Sequence, residues 1–188
     1  MNVLNYDIKQ YLYLPDLVKK ALSTDLQTDI LNDIEMKIDY NAVIISDYDK
    51  GFVTPDNIKF IVNNFKCPIF VDSKKNDLSE YENCIIKINE IEYKRVLKFP
   101  KNYELIVTLG DRGAIYKDKI IPTNKVNVFD VSGAGDTFIA SLVVKYLLSN
   151  DLEKSIKFAN LCSSIVVTKS GTASITKEEV QKNTLCYL

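Results

Sequence analysis

The stretch "DVSGAGDTF" at residues 130–138 contains two of the six glycines in the chain, and an aspartate follows the second glycine. A Gly-x-Gly turn at the start of a helix leaves the first-turn N–H groups accessible, and these amides attract anions. A carboxylate next to an anion opposes that binding. Asp136 therefore suggests a separate task, such as accepting a proton from a hydroxyl group that attacks phosphorus. The alternative stays open, because glycines are common in turns and aspartate stabilises any first helical turn.

Short apolar runs alternate with helical segments on the N-terminal side of this stretch. Buried strands are predicted at 42–46, 68–72, 84–88 and 104–108, and helices at 54–65 and 90–97. Thr54 precedes Pro55, which is typical of an N-cap and a first helical position. Strands separated by helices of this length indicate βαβ units and a parallel sheet. Beyond Gly110, alternating apolar and polar residues predict an antiparallel hairpin.

Further helices are predicted at both ends of the chain. The first forty residues carry apolar side chains at helical spacing, and two helices are predicted at about 134–148 and 151–168. A short third helix is predicted to begin at Thr176, because Thr176 and Glu179 have the spacing of a capping box. With 188 residues and 46% hydrophobic content, the chain is expected to form a single α/β domain.

The composition argues against several classes of protein. The formal net charge is −1, which gives no electrostatic basis for binding nucleic acid or a membrane surface. No apolar run approaches the ~18 residues of a membrane span, and no signal peptide is recognisable, so a cytoplasmic protein is expected. Because there is no histidine, acid–base chemistry must come from Asp, Glu, Lys or Tyr. The four cysteines lack metal-site spacing and are interpreted as buried apolar residues.

A polar residue stands at the end of every predicted parallel strand: Asp47, Asp72, Asn89 and Thr108. The carboxyl ends of parallel strands form the edge where ligands bind in open α/β sheets. Loops after strands are also polar simply because water surrounds them. The repetition at four strands favours a binding site at this edge.

The glycine stretch lacks the Gly-Lys-Ser/Thr of a Walker P-loop, and it lies too late in the chain for a dinucleotide-binding fingerprint. It resembles the C-terminal signature D-x-x-G-A-G-D-x-F of the ribokinase/PfkB family of carbohydrate kinases. Three further segments resemble that family in the same order: "NEIE" (89–92), "TLGDRGA" (108–114) and "FANLCSSIVVTKSGTAS" (158–174). Within the family, "SDYDKG" (46–51) and "VDSK" (71–74) are most similar to heptose-7-phosphate kinases. The resemblance covers about residues 24–182.

The resemblance implies a parallel three-layer αβα sheet of ribokinase-like type, and transfer of the γ-phosphate of ATP to a hydroxyl of a sugar or sugar phosphate. It implies Asp136 as the general base and the amides of Gly133, Ala134 and Gly135 as the site of the transferred phosphoryl group. The resemblance also implies that ATP is contacted by Thr108, Gly110, Gly113 and Asn160, and that Mg²⁺ is contacted through water by Asn89 and Glu92. It implies that phosphate or sugar is contacted by Asp47 and Lys74. A monovalent cation such as K⁺ would be held by Asp130 and Ser132 together with the 167–171 loop. For Lys74, a solvated lysine is an equal alternative.

The glycine-rich, sugar-binding N-terminal half of such a kinase has no counterpart before Val43, and the first glycine is Gly51. The expectation is therefore a single N-terminally truncated domain over residues 1–188. Three interpretations follow: a kinase that works with a separate chain supplying the acceptor half, a nucleotide-binding remnant without turnover, or a truncated product of little function. An uncovered sheet edge favours association, so a homo-oligomer or a complex with such a partner chain is expected.

Overall fold

A computed structural model describes residues 40–184 of the chain. In this range six strands form one sheet in the order of the sequence. They are β1 (Val43–Asp47), β2 (Ile69–Ser73), β3 (Ile85–Asn89), β4 (Glu104–Thr108), β5 (Ala114–Tyr116) and β6 (Lys119–Ile121). Strands β1 to β4 are parallel, and β5 and β6 form an antiparallel hairpin beside β4. The predicted parallel strands and the hairpin are both confirmed.

The same range contains five α-helices and a short 3-10 helix at Gly110–Arg112. The α-helices are α1 (Pro55–Asn64), α2 (Glu90–Tyr93), α3 (Ala134–Ser149), α4 (Leu152–Val166) and α5 (Lys177–Thr184). The predicted caps form, since the Thr54 hydroxyl accepts the Asn57 N–H at 3.2 Å, and Thr176 and Glu179 make a capping box. The helices predicted in the first forty residues lie outside the described residues.

Helix α2 is much shorter than the helix predicted at 90–97. It ends at Tyr93, and the chain beyond it turns back towards the segment that follows β2. There the Leu97 N–H donates to the Asn76 carbonyl at 2.7 Å, and the Leu78 N–H donates to the Lys98 carbonyl at 2.9 Å. These long-range hydrogen bonds replace the helical ones, so tertiary pairing overrides the local helical pattern.

Apolar side chains cover both faces of the sheet, as expected for parallel strands with helices on each side. One core contains Ile45, Val71 and Ile86 of the strands together with Ile58 of α1 and Tyr81. The other core contains Phe70, Ile85 and Ile106 of the strands together with Leu142 of α3 and Ile156 of α4. The fold is therefore a three-layer α/β architecture, as the resemblance implied.

Helices α3 and α4 form the layer next to the glycine stretch. Asn150 is the C-cap residue of α3 and adopts a left-handed conformation (φ 49°). Its N–H donates a hydrogen bond to the Tyr146 carbonyl at 2.7 Å. Asp151 then caps α4 by accepting the Lys154 N–H at 3.0 Å. No helix within residues 40–184 is long and apolar enough to cross a membrane.

The described cysteines behave as apolar residues. Cys84 and Cys162 are buried and Cys67 is partly buried, and all three are free thiols. Burial raises the pKa of Cys84 to about 12 and raises the pKa of Cys162 and Cys67. These thiols therefore stay protonated at neutral pH and are poor nucleophiles. Cys186 lies outside the described residues.

Candidate active site

The glycine stretch forms the uncapped start of α3. Gly133 is the N-cap residue, with the left-handed conformation (φ 76°) that glycine adopts without strain, and no side chain caps the helix. The Ala134 N–H donates to the Val131 carbonyl at 3.2 Å, whereas the N–H groups of Gly135 and Asp136 have no hydrogen-bond partner within residues 40–184. The Ser163 hydroxyl of α4 donates to the Ala134 carbonyl at 3.1 Å, which fixes the first turn against the neighbouring helix.

A cleft with a volume of about 520 Å³ opens beside this helix start. This volume is in the range of small-molecule sites. Six of the predicted residues line the cleft: Thr108, Gly110, Gly113, Ala134, Gly135 and Asn160. The cleft also has an apolar wall formed by Val126, Val128, Val131, Phe138 and Val167, and polar residues at Thr123, Lys125 and Ser164. The part of this lining in residues 122–129 lies outside every motif, so nothing in the sequence identified it.

Gly113 and Asn160 hold the chain that forms one wall of this cleft. A side chain at Gly113, whose φ is 95°, would place its Cβ 2.1 Å from the Ile121 carbonyl oxygen, so only glycine fits there. The Asn160 side-chain amide donates to the same carbonyl at 2.9 Å and to the Pro122 carbonyl at 3.2 Å. Both residues therefore position the end of β6 in addition to lining the cleft.

Asn89 and Glu92 lie at the end of β3 and form a reciprocal capping box on α2. The Asn89 side chain accepts the Glu92 N–H and Glu92 accepts the Asn89 N–H, both at 2.8 Å, while the Lys74 ammonium donates to Glu92 at 2.8 Å. Burial alone would raise the pKa of Glu92, but the Asn89 amide and the Lys74 ammonium outweigh burial and hold the pKa below its ordinary value. Glu92 is therefore a fixed carboxylate near the carboxyl end of β3.

Lys74 follows β2 and lies at the same edge. Its ammonium is 5.2 Å from the centre of the Tyr48 ring and forms the ion pair with Glu92. The hydrogen bond to Glu92 raises the pKa of Lys74. Lys74 is thus an ion-paired lysine that is still solvent-exposed, with 44% of its side chain accessible.

Asp47 ends β1 but is only 2% exposed. Its carboxylate accepts hydrogen bonds from the Tyr81 hydroxyl at 2.7 Å, the Asp49 N–H at 2.9 Å and the Ser73 hydroxyl at 3.3 Å, and it forms an ion pair with Lys75. Burial raises the pKa of Asp47, but the donors, with Lys75 and Tyr81 foremost, outweigh burial and lower it overall. Both carboxylate oxygens are used inside the protein, which supports a structural role in place of the predicted contact with sugar or phosphate.

A second buried ion pair lies next to the first turn of α3, and the sequence analysis missed its lysine. The parallel register of β2 and β3 places Asp72 beside Lys87, and the Lys87 Nζ is 2.7 Å from the Asp72 Oδ2. Lys87 is 4% exposed. A Cβ on Gly135 would lie 3.2 Å from the Lys87 Nζ. The only signal in the sequence was a lysine inside the otherwise apolar run "CIIKI".

Asp130 joins the segment before α3 to the loop after α4. Its carboxylate accepts the Ser132 N–H at 2.8 Å and the Gly171 N–H at 3.0 Å. These backbone hydrogen bonds, led by the one from Ser132, lower the pKa of Asp130. The Val167 carbonyl accepts the N–H groups of Phe129 and Asp130 at 2.7 and 3.1 Å. The segments predicted to hold a monovalent cation are therefore in contact.

A family model described as "pfkB family carbohydrate kinase" matches residues 85–179 of the chain. The chain belongs to the PfkB family. The matched range starts at β3 and includes the start of α3 and the whole of α4.

Several curated PfkB-related proteins are similar to the chain over most of its length. Bifunctional protein HldE of a Nitratiruptor species is 35% identical over 187 residues, covering 87% of this chain and 40% of HldE. HldE of Sulfurimonas denitrificans is 34% identical with the same shares, and HldE of Helicobacter pylori is 32% identical, covering 87% of this chain and 41% of HldE. The chain therefore spans about 40% of the length of these relatives.

Solved structures show the same fold at lower sequence identity. Phosphofructokinase-2 from Escherichia coli in complex with potassium has a TM-score of 0.74 and 18% identity, covering 89% of this chain and 64% of that chain. Arabidopsis thaliana ribokinase complexed with ribose and ATP has a TM-score of 0.62 and 18% identity, covering 86% of this chain and 59% of that chain. These similarities identify the fold as ribokinase-like.

Proposed function

We propose that the chain binds ATP and transfers its γ-phosphate to a hydroxyl group of a sugar or sugar phosphate. The observation that carries this proposal is the meeting of the cleft with the uncapped start of α3. The cleft reaches Ala134 and Gly135, and Asp136 follows in the same helical turn. Membership of a carbohydrate kinase family supports the same reaction class.

In the proposed reaction the acceptor oxygen forms a bond to the γ-phosphorus while the bond from phosphorus to the β,γ-bridging oxygen breaks. ADP leaves with the electron pair of that bond, and the Asp136 carboxylate accepts the proton of the acceptor hydroxyl. Of the amides assigned to the transferred group, those of Gly133 and Gly135 stabilise the charge on the phosphoryl oxygens, while the Ala134 amide donates to the Val131 carbonyl. Thr108, Gly110, Gly113 and Asn160 border the nucleotide in the cleft.

The residues present fit a hydrated magnesium ion that arrives with ATP. Within residues 40–184, no group of three or more Asp, Glu, His or Cys side chains is arranged to hold a metal ion. Magnesium commonly binds through one or two carboxylates, several waters and the substrate phosphates. We assign Glu92 to such a water-mediated contact, with Asn89 fixing its carboxylate. When bound, the ion neutralises part of the phosphate charge.

A monovalent cation such as K⁺ belongs to the same proposal. Asp130 and Ser132 precede α3, and the 167–171 loop follows α4. The hydrogen bonds of Asp130 to both segments support a shared ion site there, since carboxylate and carbonyl oxygens are the ligands that hard cations prefer. Such an ion would fix the start of α3 without contacting the acceptor.

For the acceptor we propose a heptose 7-phosphate, D-glycero-β-D-manno-heptose 7-phosphate. The similarity to HldE proteins and the segments "SDYDKG" and "VDSK" support this choice. Lys74 is the residue assigned to the phosphate or sugar, because its ammonium is positioned at the ligand-binding edge by Glu92 and Tyr48.

We also propose that the chain associates, either with itself or with a chain that supplies the acceptor side. Strand β1 is one edge of the sheet within the described residues. Ile44 on this strand is 45% exposed, and Tyr48 just after it is 53% exposed. Sheet edges and exposed apolar side chains favour pairing with another chain. Sedimentation should therefore give an oligomer, and a monodisperse monomer would contradict the proposal of self-association.

The first test measures thermal unfolding of the whole chain with and without millimolar Mg-ATP, for the wild type and for Asp136→Asn. Binding to the native state stabilises it, so the midpoint should rise in both forms, because Asp136 acts on the acceptor proton. Asp118→Asn, in the exposed β5–β6 turn, is the matched control. If Mg-ATP does not raise the unfolding midpoint of the wild type, the proposal that the chain binds ATP is wrong.

The second test follows ADP formation with heptose 7-phosphate as acceptor. We expect Asp136→Asn to lower the rate by about 10²–10⁴-fold, the usual contribution of a general base, while Asp118→Asn retains it. Equal rates in wild type and Asp136→Asn would overturn the assignment of the base. If the wild type binds ATP but phosphorylates no sugar, the chain is a nucleotide-binding module and the kinase proposal for this chain alone falls.

A further inference from the structure

We infer that Lys169, paired with Glu179, is a positioning residue that sets the affinity of the site for ATP. It acts through the 167–171 loop and Asp130 on the start of α3. The family resemblance assigns no role to the side chain of either Lys169 or Glu179. The inference rests on the proposed function, because it concerns how the proposed phosphate site is held in place.

The Lys169 ammonium joins the loop after α4 to α5. It donates to the Ser174 carbonyl at 2.7 Å and to the Glu179 carboxylate, also at 2.7 Å. That carboxylate is itself fixed, since it accepts the Thr176 N–H at 2.8 Å in the capping box of α5. The hydrogen bond from Lys169 is the first cause that lowers the pKa of Glu179, so the carboxylate is ionised at neutral pH. One side chain therefore closes the loop from residue 169 to residue 174.

The closed loop holds the segment in front of α3. The Gly171 N–H donates to the Asp130 carboxylate at 3.0 Å, and the Val167 carbonyl accepts the Asp130 N–H at 3.1 Å. The loop also reaches the N-cap of α3, because a Cβ on Gly133 would lie 3.9 Å from the Thr172 side chain. A shift of the loop is therefore passed to the helical turn whose amides are proposed to bind phosphate.

The pair is suited to fixing geometry more than to raising global stability. The side chains of Lys169 and Glu179 are 26% and 35% exposed, and ion pairs in contact with water contribute little to folding. A loop closed by its own side chain samples fewer conformations before the ligand arrives. Phosphate binding by amides depends on such preorganised donors. Loss of the pair should therefore lower ligand affinity while the fold persists.

The monovalent cation proposed for this loop gives the inference a specific signature. An ion held by Asp130 and the 167–171 loop would draw together the same two segments that the Lys169–Glu179 pair aligns. The ion and the pair thus support one geometry by different contacts. We expect added K⁺ to compensate in part for loss of the pair, which a general loss of stability would not produce.

The experiment measures the dissociation constant of Mg-ATP for the full chain by calorimetry, at low and high KCl with ionic strength held constant by choline chloride. We expect Lys169→Met to weaken binding by about 2- to 30-fold at low KCl, the range for a residue that acts through its neighbours, and by less at high KCl. The unfolding midpoint should stay within about 2–4 °C of the wild type. Lys157→Met is the matched control, since it removes the lysine of a Lys–Glu pair within α4, also 2.8 Å long, and does not line the cleft.

A second pair of variants tests the action of the two side chains as a unit. Glu179→Gln preserves the capping box, because glutamine serves at the same position, but it removes the charge that holds Lys169. Weakened ATP binding in Glu179→Gln, with no further loss in Lys169→Met/Glu179→Gln, supports the inference. Lys169→Arg should retain most of the affinity, since arginine also pairs with carboxylates. Losses that add in the double variant would contradict action as a pair.

The outcomes separate this inference from the proposed function. If the wild type binds ATP and Lys169→Met binds it equally well, or if Lys157→Met loses as much affinity, the inference is overturned alone. If the wild type does not bind ATP, the proposed function fails and the inference fails with it. Hydrogen exchange in the ligand-free chain tests the structural link directly, because the amides of Gly171 and Asp130 should exchange faster in Lys169→Met. Unchanged exchange of both amides would contradict the link.

Discussion

The two buried Lys–Asp pairs on opposite faces of the sheet use the same chemistry in different ways. The Lys75–Asp47 pair is closed, because Tyr81, Ser73 and the Asp49 amide also donate to the carboxylate, and Lys75 donates in addition to the Val53 carbonyl at 2.6 Å. The Lys87–Asp72 pair is open, because the Asp72 Oδ1 is buried and has no partner within residues 40–184.

The difference between the pairs separates a structural role from a functional one. A closed pair has no hydrogen-bonding capacity left for a ligand, and it fixes the end of β1 to the segment after β2. An open pair makes the native state less stable, because buried polar atoms lack hydrogen-bond partners. A ligand that supplies the missing hydrogen bonds would offset this loss of stability. Each pair joins one lysine to one aspartate, with side-chain exposures of 18% and 1% for Lys75 and Asp47 and of 6% and 12% for Lys87 and Asp72. The count of satisfied donors and acceptors separates the two pairs more clearly than burial does.

The largest effect is expected from breaking the closed pair. Asp47→Ala leaves the Lys75 ammonium and the Tyr81 hydroxyl buried without their acceptor. We expect the free energy of unfolding to fall by about 3–5 kcal/mol, measured by urea titration, with the affinity of any folded protein for ATP unchanged. Asp56→Ala, an exposed aspartate in the first turn of α1, should cost less than about 1 kcal/mol. A loss in Asp47→Ala no larger than in Asp56→Ala would contradict the structural role.

Breaking the open pair should cost no more than breaking the closed one. Asp72→Ala leaves the Lys87 ammonium, which is 4% exposed, without its carboxylate, but it removes one hydrogen bond where Asp47→Ala removes several, so we expect a loss of about 3 kcal/mol. Saturating ATP should restore a larger part of this loss than it does in Asp47→Ala, because the bound phosphate gives Lys87 a new partner. Equal recovery in the two variants, measured by thermal unfolding with and without ATP, would remove the distinction between the pairs.

The sheet could be predicted from the sequence because its strands are buried on both faces. Short runs such as "CIIKI" and "ELIVT" are mostly apolar, and the strands form at 85–89 and 104–108. The cap residues Thr54 and Thr176 were also readable, since a cap depends on neighbours within three residues. Helix α2 was misjudged because its end depends on hydrogen bonds between residues 76 and 97, which no local pattern reveals.

The two pairs could not be predicted, because each depends on strand register. Lys75 and Asp47 are 28 positions apart, and Asp72 and Lys87 are 15 positions apart, and the sequence does not state how β1, β2 and β3 align. A register shift of one residue would turn Lys87 to the opposite face. Motif-bearing residues such as Gly133 and Asp136 were identified because their relation to each other is local.

Gly135→Ala tests the open pair from the side of the helix and should have a small effect on stability. Alanine favours a helix over glycine by about 1 kcal/mol, and its Cβ would displace only the flexible end of Lys87. We expect an unfolding midpoint close to that of the wild type, with ATP affinity lowered several-fold. Gly133→Ala is the control, since its φ of 76° strains alanine by about 1–2 kcal/mol. Unchanged ATP affinity in Gly135→Ala would contradict a phosphate site shared by Lys87 and α3.

The smallest effect is the pH dependence of the closed pair, and its sign is fixed by the pKa of Asp47. Against the effect of burial, hydrogen bonds and Lys75 hold this pKa below its ordinary value of 3.8. A carboxyl group with a lowered folded-state pKa contributes stability that is present above the unfolded pKa and is lost as the pH falls through the folded one. The stability difference between wild type and Asp47→Asn should therefore stay constant from pH 7 to about pH 5 and shrink below pH 3.8. Urea titrations of both proteins at matched pH measure this difference, and a difference that grows on acidification would show that Asp47 is not the stabilising anion of the closed pair.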